Sequence, residues 1–178
     1  MNARLALALT AALWPVALAH GESAKVNLRG AVPCLDSSSV RVKLVDVPAA
    51  RQGALRGVGA AVNRELAQAL RAGGVRHETR TSCQGRPAPT RVQIEVRYLD
   101  PKQYVGFGDP AYSYTFRLAV GPGAGKPPVQ FTSSWGEIHS EGRTGRSVAG
   151  VLTALGRTQA QDLVRAWRRD NPGARGGS

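Results

Sequence analysis

Cysteine is almost absent from this chain: its 178 residues hold two, Cys34 and Cys83. Neither has a neighbouring Cys or His, so the chain lacks a Cys-x-x-Cys metal site. A Gly-x-Ser-x-Gly elbow is also missing, which removes that route to serine hydrolysis. The 12 carboxylates are scattered, and spacing pairs none of them for acid–base work. These absences argue against an enzyme. No apolar run reaches the roughly 20 residues a membrane span requires. Aromatics make up only 6% of the chain, and those in strand-like segments fall on the apolar side of the alternation. Base stacking on an open sheet is therefore not expected, which argues against nucleic acid as the partner.

What is present begins at the N-terminus. Arg4 supplies a positive start, Leu5 to Leu13 an apolar core, and Ala17-Leu18-Ala19 a small-x-small cleavage site, with Pro15 breaking the helix before it. Residues 1–19 read as a secretory signal peptide, so a periplasmic or secreted protein is expected. No cysteine follows the cut, which argues against a lipid anchor there. In an oxidising compartment Cys34 and Cys83 are expected to pair. Their bridge closes a loop of roughly 50 residues, worth about 4 kcal/mol in the chain-entropy account.

The charge is strongly basic, +12 overall. Losing Arg4 with the signal leaves 23 Lys and Arg against 12 Asp and Glu, a net of +11. Such a chain is suited to anionic lipid headgroups, glycolipid phosphates or other anionic polymers. A compositional bias toward Ala, Arg, Gly and Val accounts for the same charge equally well.

Residues 20–30 are polar and read as a mobile lead. Residues 31–170 form a single domain, and 171–178 a flexible tail. "SVRVKLVDV" (39–47) alternates as a strand. "GALRGVGAAVNRELAQALRAGG" (53–74) places Leu55, Val58, Val62, Leu66 and Leu70 on one helical stripe, with Gly73-Gly74 as its stop. "VRHETRTS" (75–82), "TRVQIEVRYLD" (90–100), "AYSYTFRLAV" (111–120) and "VQFTSSWGEIHS" (129–140) read as further strands. From Arg146, "SVAGVLTALGRTQAQDLVRAW" is a second amphipathic helix, carrying Val148, Leu152, Leu155, Leu163 and Trp167 and ending before Pro172. The order is β-α-β-β-β-β-α. Alternating strands require one covered face, and two helices suffice to cover it. The expected fold is an α+β two-layer sandwich: a mixed or antiparallel sheet of about five strands with both helices on one face. Its open face is expected to carry Arg41, Lys43, Arg76, Arg80, Arg91, Arg97 and Arg117.

The run of segments "VRVKLVDV", "LRGVGAAVNRELAQALRAGGV", "RVQIEVRYLD", "YTFRLAV" and "SSWGEIHSEGRTGRSVAGVLTALGRTQAQDLVRAW" resembles a group of small bacterial envelope modules. The group includes the amino-terminal domain of the Tol-system protein TolB, the lipopolysaccharide-assembly lipoprotein LptE and the curli-export protein CsgG. The shared features are the order of elements, a helix ending at "AGGV" and a final helix behind a Gly-Arg turn, over most of residues 35–170. The resemblance implies a non-enzymatic role in binding another envelope component, an envelope protein or an anionic glycolipid. It carries over no functional residue. The lack of a cysteine after the cleavage site sets this chain apart from the lipoprotein members.

Four other constellations bear on function. If cleavage follows Ala19, the mature chain begins with His20, whose amine and ring suit copper, with His77 or His139 as a second ligand. This resembles the start of lytic polysaccharide monooxygenases, and it makes a copper protein or copper enzyme the first alternative. Against it, those enzymes are β-sandwiches, and about ten polar residues separate His20 from the domain. His77 reads as a half-buried strand residue and His139 as a solvated strand end. "GVGAA" (57–61) matches the dinucleotide fingerprint only in part, because Val62 stands at the third glycine; its glycines read as points of close helix packing. "GPGAGKPP" (121–128) resembles a phosphate loop, but Pro127 follows the lysine where Ser or Thr belongs, so a hairpin turn is expected. The loop "DPKQYVGFGDP" (100–110) offers Tyr104 and Phe107 as an interaction tip. A purely electrostatic binder of anionic polymer or nucleic acid is the second alternative.

Overall fold

The structure, a computed structural model, describes residues 27–103, 110–121 and 130–174. The signal peptide, His20, Tyr104, Phe107, most of the 121–128 turn and the last four residues lie outside the described residues. The elements are β1 (Cys34–Leu35), β2 (Val40–Val45), α1 (Ala49–Gln52), a 3-10 turn (Gly53–Leu55), α2 (Val58–Ala72), β3 (Glu78–Thr79), β4 (Thr90–Leu99), β5 (Ala111–Val120), β6 (Phe131–Ser140), α3 (Glu141–Thr144) and α4 (Val148–Asp170).

The main sheet has four strands in the order β2-β4-β5-β6. β2 runs parallel to β4, and the other neighbours are antiparallel. Alternation places Val92, Ile94 and Val96 of β4 and Tyr112, Tyr114, Phe116 and Leu118 of β5 on the buried side. α2 and α4 cover that side, α2 over β2 and α4 over β6. The chain is thus an α+β protein whose sheet face opposite the helices is open among the described residues.

Both helices follow their apolar stripes. Val58, Val62, Leu66 and Leu70 of α2 are buried, as are Val148, Leu152, Leu163 and Trp167 of α4. α4 starts where Ser147 accepts a hydrogen bond from the Gly150 N–H at 3.1 Å. α2 ends as a Schellman motif. The Val75 N–H donates to Leu70 O, the Gly74 N–H donates to Arg71 O, and Gly74 has φ +64°. Buried Val75 and Leu70 supply the accompanying apolar contact.

Four expectations are corrected. The segment 75–82 does not join the main sheet. Its two strand residues pair with Cys34–Leu35 in a separate parallel ladder. The inward positions of a strand there would be Val75, His77 and Thr79, only one of them apolar, so little draws it onto the core. The first helical stripe is also interrupted: Leu55 lies in the 3-10 turn, and α2 begins behind Gly57, whose φ of +81° favours glycine. Close packing is not the reason for Gly59 either, since a Cβ there would meet Val42 at an ordinary 3.6 Å. Finally, the lead and tail boundaries tighten. Leu28 is fully buried, its N–H donates to Asp170 Oδ2 at 2.9 Å, and Asn171 Nδ2 donates to Leu28 O at 2.9 Å.

The disulfide is formed: Cys34 and Cys83 are bonded, with Cα atoms 5.8 Å apart. It ties the β1–β3 ladder to the loop before β4.

Candidate functional site

The open face is a grid set by strand register. One row across the sheet reads Arg41, Gln93, Arg117, Ser134. The next reads Lys43, Glu95, Thr115, Gly136, and the one beyond it Val45, Arg97, Ser113, Ile138. On the other side Arg91 faces Ala119, which faces Thr132. Directly opposed residues in a sheet point to the same face, so the rows are true neighbours. A hollow of about 620 Å³ lies over the first two rows, with Arg41, Lys43, Gln93, Glu95, Arg117 and Ser134 among its lining residues.

The cations of this face divide into two groups. Lys43 donates to Glu95 at 2.9 Å, and Arg97 pairs with Asp46 at 3.0 Å and with Glu95 at 3.8 Å. The Lys43 hydrogen bond, with Arg97 adding its charge, holds the Glu95 carboxyl below its usual range. Arg41, Arg91 and Arg117 have no ion-pair partner among the described residues and are exposed.

Comparison with known proteins gives little. No protein-family model matches the chain, and no curated protein matches it. Among solved structures, a PelC variant dodecamer from Paraburkholderia phytofirmans is 14% identical, with 82% of this chain and 96% of that one covered and a TM-score of 0.38. A second PelC dodecamer from the same organism is 16% identical, with 76% and 91% covered and a TM-score of 0.30.

Of the seven cations expected on the open face, five are there: Arg41, Lys43, Arg91, Arg97 and Arg117. Arg76 and Arg80 are not, because their segment left the sheet. Arg80 pairs instead with Glu78 at 2.5 Å, and Arg86 pairs with the same carboxylate at 2.6 Å. Ser134 was not singled out by sequence reasoning. The signal was available, since the alternation that turns Phe131 and Trp135 toward the helices turns Ser134 outward.

The histidines are not gathered. His77 is half-buried, and its Nδ1 lies 2.9 Å from Val75 O. His139 is buried rather than solvated, at 4% exposure. Its Nε2–H donates to Arg146 O at 2.7 Å, and Thr144 Oγ1 lies 3.2 Å from the same nitrogen. Strand β6 turns His139 to the covered side, and the chain folds back over it through α3. Among the described residues, no cluster of His, Cys, Asp or Glu has the arrangement to hold a metal ion.

Proposed function

We propose that this chain is an exported, non-catalytic binding or assembly module of a bacterial cell envelope, holding an anionic envelope component on its open sheet face. The observation that carries the reading is a sheet face that no described element covers, on which the described strand residues place five cations and one carboxylate, Glu95. Three of those cations lack a partner among the described residues. The leader read from residues 1–19 and the Cys34–Cys83 bridge support export, and the element order shared with the envelope modules supports an envelope role. Tyr112, Tyr114 and Phe116 are buried on the other side, so this face offers phosphate or carboxylate recognition rather than base stacking.

The test is retention on immobilised dextran sulfate against neutral dextran, followed by capture from an envelope extract at low and high salt. Salt-reversible retention is expected, because exposed charges are screened beyond about 10 Å at 0.1 M ionic strength. Charge reversal at Arg41 and Arg117 should move elution to lower salt, while reversal at Arg165 on α4 should move it less. Flow-through at low salt, or an equal response to both reversals, would refute the reading.

A further inference from the structure

We infer that Arg41, Arg91 and Arg117 form a discrete phosphate-binding triad, and that its ligand is a phosphorylated sugar. The inference rests on the open face being a binding surface, and it names the chemistry of that surface.

The triad is a product of register. Gln93 stands directly between Arg41 and Arg117 in one row. Neighbouring strands are about 4.8 Å apart, so the two arginine Cα atoms lie roughly 10 Å apart across it. Arg91 stands two residues before Gln93 on β4, roughly 7 Å along the strand on the same face. Three arginines thus flank one glutamine on the same face.

Outside this face some arginines have partners, while exposed Arg56, Arg71 and Arg76 make no ion pair among the described residues. Arg157 bonds Glu65 at 2.8 Å, Arg169 bonds Asp170 at 2.9 Å, and Arg168 donates to Gly73 O at 2.8 Å. On the same sheet face Lys43 and Arg97 share Glu95. Around Gln93, Arg41, Arg91 and Arg117 make no ion pair among the described residues, and Glu95, two residues further along β4, is taken up by Lys43 and Arg97. Their mutual repulsion is relieved by an anion from outside.

The anion follows from valence and shape. A carboxylate brings one charge and two in-plane oxygens, which match one guanidinium fork. A phosphomonoester brings a charge of about −1.5 to −2 at pH 7 and three strong acceptor oxygens arranged in three directions. Only the second meets three guanidinium groups at once. The hollow, lined by Arg41, Arg117 and the Lys43–Glu95 pair but not by Arg91, is larger than a phosphate, and its neutral polar side chains are Gln93, Thr115 and Ser134. They make no side-chain hydrogen bond to the described residues and are exposed. An amide and two hydroxyls next to a cation cluster match the hydroxyls of a sugar that carries the phosphate.

Calorimetric titration of the disulfide-bonded chain with glucose 6-phosphate, inorganic phosphate and glucuronate tests this. Glucose 6-phosphate should bind about tenfold or more tightly than glucuronate, through added charge-assisted hydrogen bonds, and about threefold or more tightly than inorganic phosphate, through its sugar hydroxyls. Arg41→Ala, Arg91→Ala and Arg117→Ala should each weaken it about tenfold, while Lys43→Ala and Arg97→Ala change it by less than about threefold. All five are surface substitutions, and unchanged melting midpoints confirm the fold. Equal affinity for glucuronate, or an equal loss in all five variants, overturns the triad. If dextran sulfate retention persists in that event, the anionic-face reading stands without it; if retention also fails, both fall.

A glycolipid and a soluble glycan are both sources of such a group. Vesicle flotation with phosphatidic acid separates them. Flotation that glucose 6-phosphate displaces points to a lipid-borne group, and solution binding without flotation points to a soluble one. Flotation unchanged in the triple arginine variant overturns the proposal.

Discussion

The carboxylate of Asp36 accepts the backbone N–H of Cys83 at 2.6 Å, across 47 residues of chain. Its other oxygen accepts from the Ser38 N–H and the Ser38 hydroxyl, both at 2.8 Å. Burial pushes the Asp36 pKa up, but hydrogen bonds from the Ser38 side chain, the Cys83 and Ser38 backbone and Ser39 outweigh it, and the net direction is downward. A carboxyl whose folded pKa lies below its unfolded value of about 3.9 stabilises the fold fully above that value. The contribution is lost as pH falls through the folded value. Asp36→Asn should therefore cost about 1.5–3 kcal/mol near neutral pH, the scale of hydrogen bonds to a charged group. The gap to the parent chain should narrow as pH falls below the unfolded value of about 3.9 and through the lower folded one. Urea midpoints of both chains across that range measure it, and a gap that stays constant with pH would show that the charge is not what holds Cys83.

The disulfide and Asp36 fasten the same place. The β1–β3 ladder is only two residues long, too short to hold the segment before β4 by backbone pairing alone. The bridge spans 49 residues, for which loop-closure entropy gives about 4 kcal/mol. The double variant Cys34→Ala with Cys83→Ala should lose most of that in urea titration. Because the four-stranded sheet does not depend on the ladder for its pairing, far-ultraviolet circular dichroism of the variant should keep its folded form below the new midpoint.

His139 is the pivot of the turn into α4. It is buried, its Nε2–H holds Arg146 O, and Thr144 donates to Ser140 O at 3.0 Å to close the same turn. His139→Ala removes both the packing and the donor, and a loss of about 2–4 kcal/mol is expected. His139→Asn should recover part of it if its amide can still reach the Arg146 carbonyl. Thermal unfolding of the two variants distinguishes them, and equal destabilisation would show that packing alone matters here.

How far the sequence could be read follows from the range of the forces involved. The stripe from Val58 to Leu70 and the alternation from Val92 to Val96 are local patterns, and the folded chain obeys them. The open-face cations of β2, β4 and β5 follow from that same alternation. What escaped depends on the partners of distant segments. Arg76 and Arg80 left the face because 78–79 pairs with 34–35, a choice no local pattern encodes. His139 became buried only because residues 141–146 fold over it. That Arg41, Arg91 and Arg117 make no ion pair needs the register of three strands, which sets Glu95 directly opposite Lys43 and one row away from Arg41 and Arg117.

The contact between the two long helices was equally hidden, and it gives the sharpest packing test. Gly73 lies at the end of α2 against Val164 of α4. A Cβ on Gly73 would sit 2.5 Å and 2.8 Å from the two Val164 methyl groups. Those methyls belong to a stiff β-branched side chain on a helix, so they cannot swing clear. Backbone conformation is no obstacle, since Gly73 has φ −74°. Gly73→Ala should therefore destabilise by about 1–3 kcal/mol through overpacking alone. Gly156 of α4 is a milder case: its nearest contact would be Val62 Cγ1 at 3.0 Å, and alanine in mid-helix regains about 1 kcal/mol of propensity. Gly156→Ala should thus come out close to neutral. The deciding measurement is a double-mutant cycle of Gly73→Ala with Val164→Ala. Removing the two methyls opens the space that the new Cβ needs, so the double variant should be more stable than the two single costs added together. Strict additivity would mean that Gly73 is needed for some reason other than the approach of α4.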